Sequence, residues 1–187
     1  IIMDAHKLHV AVKITEELLY DNAFGLESYI LKKFGTALAN AEEDAFINGD
    51  GSGKPLGLLA ENGGAEIGVT AASATAITAD EIINLVYSLK RPYRKNAKFM
   101  CNDQTLAAIR KLKDSNGQYL WQPALHEGEF DTILGKRIYT SPYAPELGAG
   151  AKSIAFGDFS YYWIIIRDEV TVKILKELYS ADGQIGY

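Results

Sequence analysis

The residues that most suggest chemistry form a glycine-rich passage, Asn48-Gly49-Asp50-Gly51-Ser52-Gly53-Lys54-Pro55-Leu56-Gly57. Such a passage binds phosphate when it has a glycine five residues before a Gly-Lys pair and a serine or threonine after the lysine. Here Asn48 stands at the first of those positions, and Pro55 follows Lys54. The passage also follows a predicted helix, whereas a phosphate loop connects a strand to a helix. The pattern therefore argues against nucleotide binding.

A calcium loop is the second chemistry that this passage could support. An EF-hand loop beginning at Asn48 would place Asp50 and Ser52 at its third and fifth positions and Gly53 at its sixth. The twelfth position needs a bidentate glutamate and is Leu59 instead. One strong anionic ligand is too few for a useful site, so we expect no calcium here.

The residue types used in catalysis are scattered along the chain. No Gly-x-Ser-x-Gly motif occurs, and the only cysteine, Cys101, falls in a short apolar stretch that predicts a buried strand. The histidines lack the spacing of metal ligands: His6, His9 and His126. Four acids adjoin predicted turns, and the sequence leaves open whether two of them meet as general acid and base: Asp131, Asp158, Asp168 and Glu169. We expect a protein that is not an enzyme, with no catalytic residue, cofactor or metal.

The composition is that of a globular protein with enough chain for one core or two small lobes: 187 residues, 48% of them hydrophobic. The longest apolar run, 161–166, is far shorter than the ~20 residues of a membrane helix, so we expect no membrane contact. This run begins with Tyr161-Tyr162-Trp163 and is expected to pack internally. The alternative is that its aromatic rings form an exposed surface on which a ligand stacks. The net charge of -5 disfavours tight binding of nucleic acid, which needs clustered cations. The basic cluster at 90–95 is expected to be a solvated loop, with weak nonspecific contact with DNA as the alternative.

A long helix must position the glycine-rich passage. Between residues 24 and 47 apolar residues recur every three or four positions: Leu26, Ile30, Phe34, Ala37, Leu38, Ala41 and Ala45. Asp21 or Asn22 is expected to cap its start, and Gly49 to end it in a left-handed conformation. Gly35 in its interior and Glu42-Glu43-Asp44 in its last turns oppose the helix locally. Either they form a tolerated, solvated face, or they contact another copy of the chain.

Shorter elements surround this helix. Thr78 and Glu81 form a capping-box pattern, which predicts a helix to about Lys90. Asn102 or Asp103 is expected to cap a further helix that runs to about Lys113. Strands are expected at 8–14, 97–101, 137–140, 153–156, 163–167 and 170–175. Because strands and helices do not alternate regularly, the fold class is predicted to be α+β.

The glycine-rich passage and the helix before it resemble the major capsid proteins of tailed bacteriophages and prophages, which have the Hong Kong 97-type fold. The most specific part of the resemblance is Phe46-Ile47-Asn48-Gly49 with Gly53-Lys54-Pro55-Leu56-Gly57. Individually weaker matches follow in the family's order: 12–19, 94–97, 112–114, 117–120, 134–136 and 155–159.

The resemblance implies a Hong Kong 97-like fold with a peripheral and an axial domain. Residues 1–54 would be the first part of the peripheral domain: the end of its extended loop, a strand and a spine helix over 23–48. Residues 55–160 would form the axial domain, and residues 161–187 would return, truncated, to the peripheral sheet. The passage at 48–57 would be a hinge-like exit from the spine helix. Candidate contacts between copies would be Gly35, Glu42, Glu43, Asp44, Arg91 and Arg94.

The implied function is self-assembly into hexamers and pentamers of an icosahedral phage head that encloses DNA. The implied partners are other copies of the chain, with scaffold, maturation protease and portal for the full-length protein, and DNA bound only nonspecifically. The implied location is the virion capsid, after synthesis in the host cytoplasm. The family's N-terminal arm, most of its extended loop and its last peripheral strand find no match, so we expect a core fragment. Two alternatives stay open: an encapsulin-type compartment shell, and a small hydrolase or ligand-binding protein with an acidic cleft between lobes.

Overall fold

The computed structural model describes residues 5–15, 17–18, 25–114, 116–119, 131–167, 171–175, 177–179 and 182–186. The α-helices with eight or more described residues are α1 (Leu26–Asn48), α2 (Ala79–Ser88) and α3 (Asp103–Arg110). The strands are β1 (Lys13–Thr15), β2 (Lys98–Cys101), β3 (Thr132–Ile133), β4 (Lys136–Thr140), β5 (Ile154–Gly157) and β6 (Gln184–Gly186). Short 3-10 helices occupy Arg91–Arg94 and Phe159–Tyr161. The predicted mixture of helix and sheet is confirmed.

Helix α1 is the longest element, about 35 Å at 1.5 Å per residue. It begins after Gly25, whose φ of 66° lies in the left-handed region and whose missing side chain leaves the N-cap position without a polar cap. The predicted caps Asp21 and Asn22 lie outside the described residues. Of the 23 residues of α1, only Ile47 is buried.

The start of α1 packs against a two-stranded antiparallel sheet of β1 and β6. Ile14 pairs with Ile185, and both are buried. Three half-buried side chains of α1 cover this pair: Leu26, Ile30 and Phe34. The predicted strand at 8–14 is wrong except at its end, because a strand needs a partner backbone and only residues 13–15 have one. Strand β6 was not predicted.

The second sheet has four strands in the order β3-β4-β2-β5. Strand β2 runs parallel to β4 and antiparallel to β5, while β3 and β4 form a hairpin. Leu134 and Gly135 make the two-residue turn of that hairpin with φ angles of 50° and 70°, the type I′ geometry that suits strand twist. One face of the sheet packs on α2 and α3 through buried residues: Ile82, Phe99, Cys101, Leu106, Ile109 and Ile138.

Helices α2 and α3 start where the sequence predicts and end early. The capping box of α2 is confirmed: the Glu81 N–H donates to Thr78 Oγ1 at 3.3 Å, and the Thr78 N–H donates to Glu81 Oε2 at 2.8 Å. Asn102 caps α3 by accepting from the Gln104 N–H at 2.9 Å. Helix α2 stops at Ser88 rather than at about Lys90, and α3 stops at Arg110, three residues before the predicted end.

The predicted strand at 163–167 is wrong, because these described residues lie outside any strand. Of the strand expected at 170–175, residue 170 lies outside the described part, and Leu175 makes a single bridge with Gly186. The internal packing expected of residues 161–166 is wrong for Trp163 and Ile166, which are 72% and 81% exposed. It is confirmed for Tyr162, whose ring centre lies 6.5 Å from that of Phe46. High β-propensity favours a strand only where a neighbouring backbone and a covering face exist.

Candidate functional site: the junction at the end of α1

The glycine-rich passage makes a closed reversal at the end of α1. The N–H groups of Leu58 and Leu59 donate to the carbonyls of Phe46 and Ile47 at 2.7 and 2.8 Å. The Gly57 N–H donates to the Gly49 carbonyl at 2.8 Å. The last carbonyls of a helix lack partners within the helix, so the returning chain satisfies them. The reversal therefore binds the passage to the helix that it leaves.

Two kinds of glycine serve this reversal. Gly51 and Gly53 have φ angles of 78° and 71°, the positive values that the sequence predicts for a sharp turn. The left-handed conformation expected at Gly49 is wrong, because its φ is -57° and its ψ is 139°. Gly49 is needed for close approach instead, since a Cβ there would overlap the carbonyl oxygens of Pro55 and Ala45. A Cβ on Gly57 would lie 2.6 Å from the Ile47 carbonyl.

The polar groups of the passage hold the turn itself. The Asp50 carboxylate accepts from the Ser52 N–H at 3.0 Å, and this hydrogen bond is the main reason that the pKa of Asp50 is lowered. An antiparallel bridge joins Asp50 to Leu56, and Lys54 is exposed. Among the described residues, no group of three or more His, Cys, Asp and Glu side chains could hold a metal ion.

The acidic turn of α1 has partners within the same chain. Ser141 Oγ donates to Glu43 Oε1 at 2.6 Å. Asn48 Nδ2 donates to Asp44 Oδ1 at 2.9 Å and to the Tyr143 carbonyl at 2.7 Å. These bonds join the end of α1 to the segment that follows β4. Two of the three acids expected as contacts between copies therefore have a role inside one copy, whereas Glu42 is exposed.

Of the other candidate contacts between copies, Arg94 has partners within the chain, whereas Arg91 and Gly35 are exposed. Arg94 Nε donates to the Leu89 carbonyl at 2.6 Å, and Arg94 Nη2 donates to the Tyr87 carbonyl at 2.8 Å. These carbonyls lie at the end of α2, where a cation is favourable, so Arg94 caps that helix. Arg91 is exposed. Gly35 is exposed too, and a Cβ built on it would meet no described heavy atom within 4 Å beyond its chain neighbours and the backbone of its own helix.

Several residues that stabilise the junction were not predicted from the sequence. Lys152 Nζ donates to the Ala60 carbonyl at 2.5 Å and to the Ala65 carbonyl at 3.3 Å, which fixes the loop after the passage. The Tyr162 hydroxyl donates to the Leu56 carbonyl at 2.8 Å, and burial raises the pKa of Tyr162. These contacts join residues about 90 to 106 positions apart in the chain. No signal in a single sequence indicates such pairs.

The residues considered for catalysis have structural surroundings. Cys101 is fully buried, and burial foremost raises the pKa of its thiol to about 12, so the reactive thiolate is suppressed. Asp131 forms an ion pair with Arg110. Asp158 accepts hydrogen bonds from the hydroxyl and the N–H of Ser160, which lower the pKa of Asp158. Of the other candidates, His6 is half-buried and His9 is exposed, whereas His126, Asp168 and Glu169 lie outside the described residues. Within the part of the chain that the structure describes, no helix is both long and apolar enough to cross a membrane.

The chain is similar in sequence to known capsid proteins. The phage capsid family matches residues 1–187. The chain is 33% identical over 165 residues to the major capsid protein of Escherichia phage T5, and 29% identical over 161 residues to that of Enterobacteria phage HK97. These matches cover 83% and 84% of the chain but only 35% and 39% of the relatives. The chain thus spans less than half the length of these relatives.

Solved structures agree with the sequence relatives. A chain in the capsid of a native GTA particle is 36% identical, with a TM-score of 0.72, and the match covers 82% of this chain and 56% of that one. The structure from Gordonia phage Cozz, at 16% identity, has the same fold with a TM-score of 0.67, covering 95% of this chain and 62% of that one. The Hong Kong 97-like fold predicted from the passage at 46–57 is confirmed, and the chain belongs to the phage capsid family.

Proposed function

We propose that the chain is the central part of a major capsid protein whose copies assemble into hexamers and pentamers of an icosahedral head that encloses DNA. The observation that carries this proposal is the match to a capsid chain of a GTA particle, at 36% identity over 82% of the present chain. Both sequence relatives are themselves major capsid proteins. The chain would accordingly act as a structural protein of the virion and not as an enzyme.

The surface supports a role in assembly. Bulky apolar side chains at the end of the second 3-10 helix and directly after it are 51–81% exposed: Tyr161, Trp163, Ile164, Ile165 and Ile166. Contiguous exposed apolar surface of this kind marks a contact with another protein, because leaving it in water costs free energy. A subunit that is surrounded by copies of itself would cover such a run.

We assign residues 1–54 and 161–187 to a peripheral domain and residues 55–160 to an axial domain. The pairing of β1 with β6 beside α1 supports the first assignment, since it joins the two ends of the described chain. The four-stranded sheet and its two helices support the second, since they fall within residues 79–157. The passage at 48–57 would be the exit from the spine helix between these domains.

The partners follow from this role. Other copies of the chain would be the main partners, and the full-length protein would also meet scaffold, maturation protease and portal. It would be made in the host cytoplasm and would contact packaged DNA only nonspecifically. The encapsulin-type and hydrolase alternatives have no comparable support, because the relatives are phage proteins and Asp131 and Asp158 are bound to Arg110 and Ser160.

The test is to express the full-length protein and to examine the purified material by electron microscopy and sedimentation. We expect closed particles with five-fold and six-fold clusters, and DNA protected from nuclease when packaging components are present. Compact monomers at all concentrations would contradict the shell function. Particles that enclose a protein cargo instead of DNA would favour the encapsulin-type alternative.

A further inference from the structure

Asparagine precedes glycine at three places in the chain: 48–49, 62–63 and 116–117. An Asn-Gly pair can modify itself, because the backbone nitrogen of the glycine can attack the side-chain carbonyl carbon of the asparagine and close a cyclic imide. Glycine favours this ring closure, since it has no Cβ to obstruct the approach. The reaction needs an asparagine amide and a glycine N–H that no other group holds, and the three pairs differ in this respect.

The pair at 48–49 is held by hydrogen bonds at both reacting groups. Asn48 Nδ2 donates to Asp44 Oδ1 at 2.9 Å and to the Tyr143 carbonyl at 2.7 Å. The Gly49 N–H donates to the Ala45 carbonyl at 2.9 Å, and Gly49 is buried. Ring closure would require these hydrogen bonds to break first, so we expect this pair to be the slowest of the three.

The pair at 116–117 is exposed, but its backbone is bound. The Gly117 N–H donates to the Asp114 carbonyl at 3.1 Å. The Asp114 carboxylate accepts from the Asn116 N–H at 2.9 Å and from the Gln118 N–H at 2.8 Å, so the turn is fixed on both sides of the pair. The attacking nitrogen is therefore engaged, which places this pair between the other two in reactivity.

The pair at 62–63 has both reacting groups open to solvent. Asn62 and Gly63 are exposed at the tip of the loop that follows the passage. Within the ranges that the structure describes, no hydrogen bond involves the Asn62 amide or the Gly63 N–H. The two ends of this loop are held instead, because Lys152 Nζ donates to the carbonyls of Ala60 and Ala65. The fold thus fixes the loop around the pair and leaves the pair itself free to react.

We propose that Asn62 and Gly63 form a modification site at which the chain converts its own asparagine to aspartate and isoaspartate. The Gly63 nitrogen loses its proton to solvent base and attacks Asn62 Cγ. A bond forms between these two atoms, the bond from Cγ to Nδ2 breaks, and Nδ2 leaves as ammonia with a proton from solvent. Water then adds to either carbonyl of the imide and opens it to a carboxylate, so nothing is oxidised or reduced.

The reaction changes the loop in charge and in length. Both products carry a new negative charge at position 62. Isoaspartate also adds one methylene group to the backbone between the two carbonyls that Lys152 binds. This inference goes beyond the shell function and does not depend on it.

The test incubates the purified full-length protein in mildly alkaline buffer made with heavy-oxygen water and then maps its peptides by mass spectrometry. The peptide that contains Asn62 should gain solvent oxygen, and an isoaspartate methyltransferase should label it. Reaction at 48–49 should be at least about tenfold slower, because that pair must first lose its hydrogen bonds. Reaction at 116–117 should have an intermediate rate.

Two controls separate the fold from the local sequence. Asn62→Gln should abolish the reaction at this peptide, since closure onto the longer side chain is much slower, while 116–117 in the same sample should react as before. The side chain of Asn62 is exposed, so we expect the fold to be kept, which a circular-dichroism melt checks. In guanidinium chloride the hydrogen bonds are lost, and the three pairs should react at similar rates.

Each other result overturns the proposal. No reaction at 62–63 in the folded protein, or a faster reaction at either of the other pairs, would mean that the free groups of this pair do not make it a modification site. Aspartate without isoaspartate would mean direct hydrolysis of the amide and no imide. If 62–63 leads by the same factor in guanidinium chloride, the neighbouring residues and not the fold select it. None of these results depends on particle formation, so failure of the shell function would leave this test intact.

Discussion

The four-stranded sheet region and the region around α1 bury their apolar side chains very differently. In the first region Phe99, Cys101 and Thr105 are fully buried. In the second, the start of α1 covers the buried pair Ile14 and Ile185 with half-buried side chains, and of α1 itself only Ile47 is buried. Apolar burial is the dominant favourable contribution to folding, so the core of the sheet region can stabilise it within a single copy of the chain. The α1 region leaves more of its apolar surface exposed, and other copies would cover it in the proposed shell.

The largest change in stability is expected from a pair of phenylalanine-to-alanine substitutions, one in each region. Phe99→Ala should lower the free energy of unfolding by about 3–5 kcal/mol, because it leaves a cavity in a closed core. Phe34→Ala should cost about 1 kcal/mol or less, because the half-buried ring of Phe34 loses little area from contact. Urea unfolding followed by circular dichroism measures both. Equal losses would mean that α1 is packed as firmly as the sheet region, and the contrast would be wrong.

The junction between the two regions is the next test. Gly57→Ala should cost about 3 kcal/mol, since its Cβ would meet backbone atoms of Ile47, which cannot move aside as a side chain does. Gly53→Ala should cost about 1 kcal/mol, since the space is open and only the positive φ is strained.

Asparagine separates the two causes, because it tolerates a left-handed φ but carries a Cβ. Gly53→Asn should recover most of the stability that Gly53→Ala loses, and Gly57→Asn should recover none. Thermal unfolding of the four variants side by side gives the comparison. Full recovery at Gly57 would show that backbone conformation, not close approach, is what this position requires.

Local patterns in the sequence predicted local structure well. Thr78 and Glu81 gave the start of α2, because a capping box involves side chains only three residues apart. The apolar spacing of 24–47 predicted α1 to within two residues at its start. The same reasoning failed for the strand at 163–167, because strand formation depends on a partner backbone that periodicity does not reveal. Strand β6 was missed for the same reason, since its partner lies about 170 residues earlier.

The candidate site was predicted as a motif but not as a geometry. The passage at 48–57 indicated a sharp reversal, and Gly51 and Gly53 have the positive φ expected. The need for glycine at position 49 was explained wrongly by a left-handed conformation. The close approach of the Pro55 carbonyl requires it, and no pattern in the sequence shows that approach. Arg94 and Glu43 make hydrogen bonds within the chain that the sequence did not predict, and their contact with other copies stays a prediction. Charge in a sequence shows that a partner is needed, not where the partner lies.

A third test concerns the exposed side of α1. Gly35→Ala should stabilise the isolated chain by about 1 kcal/mol, because alanine has the higher helix propensity and the space is open. Ala39→Gly, at an exposed position of the same helix, should lose a similar amount and serves as the control. If Gly35→Ala raises stability yet reduces particle yield, Gly35 lies against another copy. If particles form as before, the candidate contact at Gly35 is wrong.

The smallest expected effect is the response of the sheet region to acid. The N–H groups of Ala72 and Thr78 donate to the Glu81 carboxylate at 2.7 and 2.8 Å, and the bond from Ala72 is the main reason that the pKa of Glu81 is lowered. A lowered pKa in the folded state means that the stabilisation is present above the unfolded value near 4.5 and is lost as pH falls through the folded pKa. Glu81→Gln should therefore be less stable than the unmodified chain near neutral pH, and the two melting temperatures should converge in acid. A constant difference for Glu81→Gln at all pH values would show that its charge is not what holds the loop at Ala72.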